Sequence, residues 1–179
     1  MHLEFIPMNR DESKNMLRID GAKILGGTFR NFSGRPDKYN PNGKRSFAIR
    51  IEDEEIKDAL LNDVNEFGVP WNVKIKPPRE DGDDALMFLK VGVKFNDRGP
   101  AIYLQSGNAM NRLDEEDIDQ LDNIDIEYAD LDIRPYDGES VTGPFRAAYL
   151  QSMCIHQAMP RDRFAARFAN SGEDETLPF

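Results

Sequence analysis

The 179-residue chain predicts a mainly β domain, a small barrel or sandwich carrying two short helices. Three features of the sequence predict it. Apolar and polar residues alternate with a period of two over most of the chain, Gly and Pro clusters punctuate the alternating stretches, and helical spacing occurs only twice. At 39% hydrophobic residues, with 11 Phe, the chain has apolar material for one ordinary core, and its length is short for two.

The elements follow in order. Residues 22–29 and 45–51 alternate as strands, separated by a long segment that contains Pro41-Asn42-Gly43. Residues 53–67 predict a helix, because Ile56, Ala59, Leu60, Val64 and Phe67 recur at helical spacing behind an acidic first turn, and Gly68 and Pro70 end it. Residues 71–76, 86–95 and 101–105 then read as strands, divided by Pro77-Pro78, Asp81-Gly82 and Arg98-Gly99-Pro100. A second, shorter helix is expected from Asp114, as N-cap, to about Asn123, anchored by Ile118 and Leu121. Strands 124–134 and 145–156 complete the domain, taken as residues 1–169. Residues 170–179, with Ser, Gly and three acids and no periodic apolar pattern, predict a flexible tail.

Several function classes are disfavoured by what the sequence holds. Cys154 is the single cysteine, so neither an intrachain disulfide nor a multi-cysteine zinc site can form, which fits a reducing, cytoplasmic setting. No secretory leader or membrane-length apolar run is present, so no membrane association is expected. His2 and His156 are far apart, which argues against a histidine metal site or a Ser-His-Asp triad. Alternation places Asp125 and Glu127 on one face of their strand and Asp130 and Asp132 on the other, against a converging two-metal set. No phosphate-cradling Gly-rich loop with Lys occurs. The expectation is a binding protein, not an enzyme, without metal or cofactor.

Charge is unevenly distributed. The net charge of −10 argues against a nucleic-acid partner, yet residues 18–50 carry eight basic residues against two acidic ones. Residues 111–132 concentrate the opposite sign, with ten acids against Arg112 alone. Within the basic third, aromatic and cationic residues interleave from Phe29 to Phe47. Phe29 and Phe47 are expected in the core, whereas Arg30, Phe32, Arg35, Lys38, Tyr39, Lys44 and Arg45 suit a single nucleic-acid strand: rings stack on unpaired bases while cations track the backbone. On strand 86–95, Met87, Leu89, Val91, Val93 and Phe95 form a core face, and Phe88, Lys90, Gly92 and Lys94 fall on the opposite one. Lys74, Lys76 and Tyr103 extend this second face onto neighbouring strands, with Trp71 left in the core.

The C-terminus, Glu173-Asp174-Glu175-Thr176-Leu177-Pro178-Phe179, resembles the acidic tip of bacterial single-stranded DNA-binding proteins, with Thr176 inserted between the acids and the aliphatic residue. That resemblance implies a partner-binding tip in which the ring of Phe179 fills an apolar pocket and Glu173, Asp174 and Glu175 steer the encounter, alongside Leu177 and Pro178. A looser resemblance spans residues 20–156. Phe32-Ser33-Gly34-Arg35, Lys38-Tyr39-Asn40-Pro41-Asn42-Gly43, Asp130-Leu131-Asp132-Ile133-Arg134-Pro135-Tyr136 and Ala148-Tyr149-Leu150 together look like phage-encoded single-stranded DNA-binding proteins. This implies an oligonucleotide-binding barrel, sequence-tolerant single-stranded DNA binding in phage replication or recombination, partner enzymes recruited by the tip, and the cytoplasm of a bacterial host. Homo-oligomerisation is left open. The alternative is an acidic DNA mimic that uses residues 114–132 to occupy another protein's DNA site.

Overall fold

The computed structural model describes residues 1–8 and 11–159, so the tail expected at 170–179 lies outside the described residues. Ten strands are described: β1 His2–Met8, β2 Asp11–Ala22, β3 Arg30–Asn31, β4 Arg45–Arg50, β5 Val73–Lys76, β6 Leu86–Val93, β7 Ala101–Ser106, β8 Ala109–Leu113, β9 Ile126–Ser140 and β10 Gly143–Gln157. They form one sheet, ordered β1-β2-β9-β10-β6-β4-β3, with β5 on β6, β7 on β10 and β8 on β7. The path is open in its ladder, but the segment just past β2 is drawn onto β4. There Ile24 bridges Ile49, the Leu25 N–H donates to the Ala48 carbonyl at 2.9 Å, and the Arg50 N–H donates to the Lys23 carbonyl at 2.9 Å. Strands β2, β4, β6, β10 and β9 thereby follow one another around a core, with β6 and β10 meeting in parallel at Gly92 and Tyr149. This is the connectivity of a five-stranded oligonucleotide-binding barrel. Its interior is filled from every strand of the ring: Leu17, Ile19, Phe47, Ile49, Leu89, Val91, Leu131, Ile133, Leu150 and Ile155 are all buried.

The mainly β class is the one the alternation predicts, and three elements differ for local reasons. The strand expected at 22–29 ends at Ala22, and a 3-10 turn occupies Gly27–Phe29. The first helix, α1 Glu54–Asn62, starts as predicted, with the Asp53 carboxylate accepting the Ile56 N–H at 2.7 Å, and it buries Ile56 and Leu60. It stops short of 67. Asn65 Oδ1 accepts the N–H groups of Phe67 and Val69, both at 2.9 Å, which turns the backbone out of the helix and leaves Val64 and Phe67 exposed. The second helix is a 3-10 segment, Ile118–Asp122, rather than an α-helix capped by Asp114. The Asp114 side chain instead accepts the Glu116 N–H at 3.0 Å, while Ile118 and Leu121 do anchor the segment in the core. Strands β1, β8 and most of β2 lie outside the predicted elements.

The longest hairpin, β9–β10, pairs almost without interruption from Gly143/Ser140 to Gln157/Ile126. A bulge at Gln151 lets both Leu150 and Met153 face the core. Beyond the stretch that β2 covers, the hairpin is held from beneath by a buried polar cluster. Arg146 pairs with Asp137 through two hydrogen bonds, 2.8 and 3.2 Å, with each side chain 1% exposed. The guanidinium also donates to the Asp63 carbonyl at 3.0 Å and lies 5.0 Å from the Trp71 ring centre. Asn65 Nδ2 donates to Asp137 at 3.0 Å, Lys14 approaches it at 3.6 Å, and the Trp71 indole N–H donates to Asp63 at 2.9 Å. Burial pushes the Asp137 carboxyl upward, but Arg146, Asn65 and Lys14 together outweigh it and hold the group below its ordinary value.

Removing one member of such a pair strands the other charge, so Asp137→Asn should cost about 3 kcal/mol in denaturant unfolding at pH 7. Because the native carboxyl is depressed, its contribution is complete above the unfolded value of about 3.9 and fades as pH falls through the native one. The gap between wild type and variant should therefore narrow in acid; a gap constant with pH, or none at pH 7, contradicts this role.

Candidate nucleic-acid interface

Alternation along β9 and β10 sends Arg134, Tyr136 and Gly138, with Phe145, Ala147 and Tyr149, to the outer face of the hairpin, opposite Arg146 and Asp137. These side chains form a continuous aromatic surface. Tyr136 meets the Tyr149 ring edge-on at 6.0 Å and the Phe145 ring at 6.1 Å, and the Arg134 guanidinium lies 5.8 Å from the Tyr149 ring centre. Tyr136 is 54% exposed. Two glycines let the rings lie close against the sheet. A Cβ at Gly92 would stand 2.8 Å from Tyr149 Cε1, and one at Gly138 would stand 2.8 Å from Phe145 Cζ.

One row of residues runs outward from this cluster. Arg134 pairs with Tyr149, Tyr149 with Gly92, Gly92 with Ser46 and Ser46 with Asn31. Ser46 and Gly92 are small, so a shallow lane runs across the sheet from the Tyr149 ring, which lies against Gly92, to the base of the basic loop, roughly 14 Å by strand spacing. Lys90 on β6 and Lys94 just past its end, both exposed, stand two residues to either side of Gly92. At the far end the loop is shaped by its own polar side chains. Asn40 donates to the Arg35 and Lys44 carbonyls at 3.1 and 2.9 Å and accepts the Lys44 N–H at 3.0 Å, and Asp37 accepts the N–H groups of Tyr39 and Asn40. The loop so held presents Arg35, Lys38, Lys44 and Tyr39, the last 88% exposed with Lys38 over its ring.

Several residues predicted to contact nucleic acid do other work. Phe32 is fully buried and stacks on Phe47 at 5.0 Å, so it belongs to the core and offers no base a surface. Phe88, 6% exposed, is covered edge-on by Phe29 at 5.1 Å, and Lys76 lies over that same Phe29 ring. Arg30 is a strut: it donates to the carbonyls of Leu25, Leu121 and Ile124, and burial pulls its guanidinium below the ordinary value against Asp122 and Asp125. Arg45 is ion-paired with Glu115 at 2.8 Å. Lys74 and Lys76 are exposed on β5, beside the end of β6 distant from Gly92. Tyr103 stands apart, on β7 against the second half of β10, near Arg112 and Cys154, and not on the lane. That second half carries His156, which meets Asp130 of β9 at 3.2 Å with Tyr128 stacked on its ring, and beside it Arg18 of β2 pairs with Asp132 of β9 at 3.0 Å. Among the described residues no three His, Cys, Asp or Glu side chains gather as metal ligands. The tip residues 173–179 lie outside the described residues.

Arg134, Tyr136, Phe145 and Tyr149 were not singled out as site residues by sequence reasoning. The available signals were the phrases around Arg134, Tyr136 and Tyr149 that carry the family resemblance, and the alternation, which puts all four on one face once β9 runs past 134 to Ser140 and pairs with β10.

A family model described as "Putative phage ssDNA-binding domain" matches residues 8–176. Among solved structures, the C-terminally truncated single-stranded DNA-binding protein from bacteriophage Enc34 is similar, with TM-score 0.53 and 14% identity over 89% of this chain and 98% of that one. The Enc34 protein in complex with ssDNA has TM-score 0.50 and 12% identity over 88% and 97% of the two chains. At these identities the likeness is one of fold. A search of the curated proteins finds no match.

The close approach of Tyr149 to the sheet makes Gly92 a sensitive position. Gly92→Ala should displace the ring, cost about 1–3 kcal/mol in thermal unfolding, and alter the near-ultraviolet circular dichroism of the tyrosines. An unchanged melting temperature and spectrum would show that the ring does not rest on Gly92.

Proposed function

The chain belongs to this phage ssDNA-binding domain family, and on that premise we propose that it binds single-stranded DNA along the lane from the basic loop to the aromatic surface of β9–β10. The observation that carries the reading is the row of rings, Tyr136 exposed and Phe145 and Tyr149 half-buried, flanked by cations on one face of the sheet. Tyr136, Phe145 and Tyr149 present π-faces and edges to unpaired bases, while Arg134, Lys90, Lys94 and the loop cations Arg35, Lys38 and Lys44 follow the phosphates. Such contacts ignore base identity, which suits a protein that coats exposed strands during replication or recombination in the cytoplasm of a bacterial host. The tip at 173–179 would serve as a tethered polyanion that competes with DNA at low salt and, once displaced, recruits partner enzymes through Phe179. The family is one of binding domains and not of enzymes.

Titration of fluorescent oligo-dT at several salt concentrations tests this. Wild type should bind saturably, and Tyr136→Ala or Tyr149→Ala should each weaken binding by about 1–3 kcal/mol with the salt slope nearly unchanged. Gln at Arg35, Lys38 and Lys44 together should flatten the slope by roughly 2, since each single-strand phosphate contact contributes about 0.7. Deleting 170–179 should tighten binding at low salt. Absence of saturable binding, or aromatic variants that bind like wild type while folded, would overturn the assignment.

A further inference from the structure

The basic loop and the acidic segment touch at one exchangeable point. Arg45, where β4 leaves the loop, donates from Nη1 to Glu115 Oε1 at 2.8 Å, its guanidinium lies 5.6 Å from the Phe95 ring centre, and its Nε is buried with no hydrogen-bond partner. The Glu115 side chain is 58% exposed, so this pair is a surface contact that water and salt can reach. Beside it opens a cavity of about 550 Å³, lined by Phe32, Ser33 and Arg45 on the loop side and by Glu115, Glu116 and Asp119 on the other. A few residues on, Asp122 behaves differently. It accepts the Phe32 N–H at 2.6 Å, the Ser33 N–H at 3.1 Å and the Ser33 hydroxyl at 2.7 Å, a three-bond anchor that fixes the acidic segment against the loop. Glu115 is thus tethered at high effective concentration beside a guanidinium that lines the open cavity where the loop rejoins β4.

A carboxylate on a guanidinium offers the same charge and acceptor oxygens as a phosphodiester. We propose that Glu115 is an internal phosphate surrogate: it occupies Arg45 in the free protein and is exchanged for a DNA phosphate when a strand leaving the lane passes over the cavity at the loop's exit. The proposal rests on the single-stranded DNA reading of the site and adds its regulation. A strand must displace Glu115 to gain Arg45, so an isolated anion gains little there, whereas a strand already stacked on Tyr149 and held by the loop cations can complete the exchange. Glu115, which lies outside the Ile118, Leu121 and Asp122 anchors of its segment, acquires a role as a local competitor.

Oligo-dT titrations of the full chain test it with Glu115→Gln, Arg45→Gln, the double variant, and Glu116→Gln, which removes the same charge from the same cavity without touching Arg45. Glu115→Gln should tighten binding about threefold at low salt, within the range of an exposed ion pair. Its salt slope should steepen by up to about 0.7, as one phosphate contact is gained without releasing a carboxylate. Glu116→Gln should change affinity much less, and Glu115→Gln should have no effect once Arg45 is Gln. Equal tightening by Glu115→Gln and Glu116→Gln would mean general charge removal and overturn the surrogate, as would an effect of Glu115→Gln that persists without Arg45. If wild type binds but Glu115→Gln does not tighten it, the surrogate fails and the DNA reading stands; if no variant binds, both fall.

Discussion

The buried Arg146–Asp137 pair is the constraint on which the rest of the surface depends. Two fully desolvated charges beneath a hairpin are costly unless every lone pair and proton is answered, and here Asp63, Asn65, Lys14 and the face of Trp71 answer them. The consequence is geometric. The cross-strand partners Arg146 and Asp137 lock the register of β9 against β10 and dock the hairpin on the segment that follows α1. Because side chains alternate, locking the inner face fixes the outer one, and Tyr136, Phe145 and Tyr149 are set in place by groups they never touch.

The electrostatics of the chain follow the same division. A net charge of −10 coexists with a basic loop because the acids are gathered in a segment folded against that loop, where Asp122 serves structure and Glu115 meets the one cation at the loop's exit. Rings and cations lie on one face, and the aromatic row ends where the outer face turns to Asp132, Asp130 and His156 beyond the Gln151 bulge. The bulge is therefore a boundary as well as a packing device: it keeps Leu150 and Met153 in the core and separates two chemically distinct halves of one strand.

Much of this could be read from the residues, and the failures are informative. The start of α1 was legible because Asp53, Glu54 and Glu55 act locally, and β6 was legible because Leu89, Val91 and Val93 alternate with Lys90 and Gly92. The helix end was not, since Asn65 captures backbone N–H groups through a loop conformation that periodicity does not encode. The interleaving of rings with cations points Phe32 to the surface, and alternation puts Phe88 opposite the core, yet each is covered by a ring from elsewhere in the chain, Phe47 and Phe29. Arg30 looked like a phosphate ligand and is spent on three carbonyls, two of them some ninety residues away. Burial by distant elements is what single-sequence reasoning sees least. The same limit hid Tyr136 and Phe145, whose shared face exists only after β9 and β10 pair.

Ultraviolet crosslinking of oligo-dT to the intact protein, with the modified peptides identified by mass spectrometry, tests the central claim most directly. If the hairpin's outer face is the stacking surface, adducts concentrate on the peptides that hold Tyr136, Phe145 and Tyr149, with Tyr39 on the loop as a second cluster. Adducts confined to Tyr103 and Tyr128, on the other half of the sheet, would contradict it.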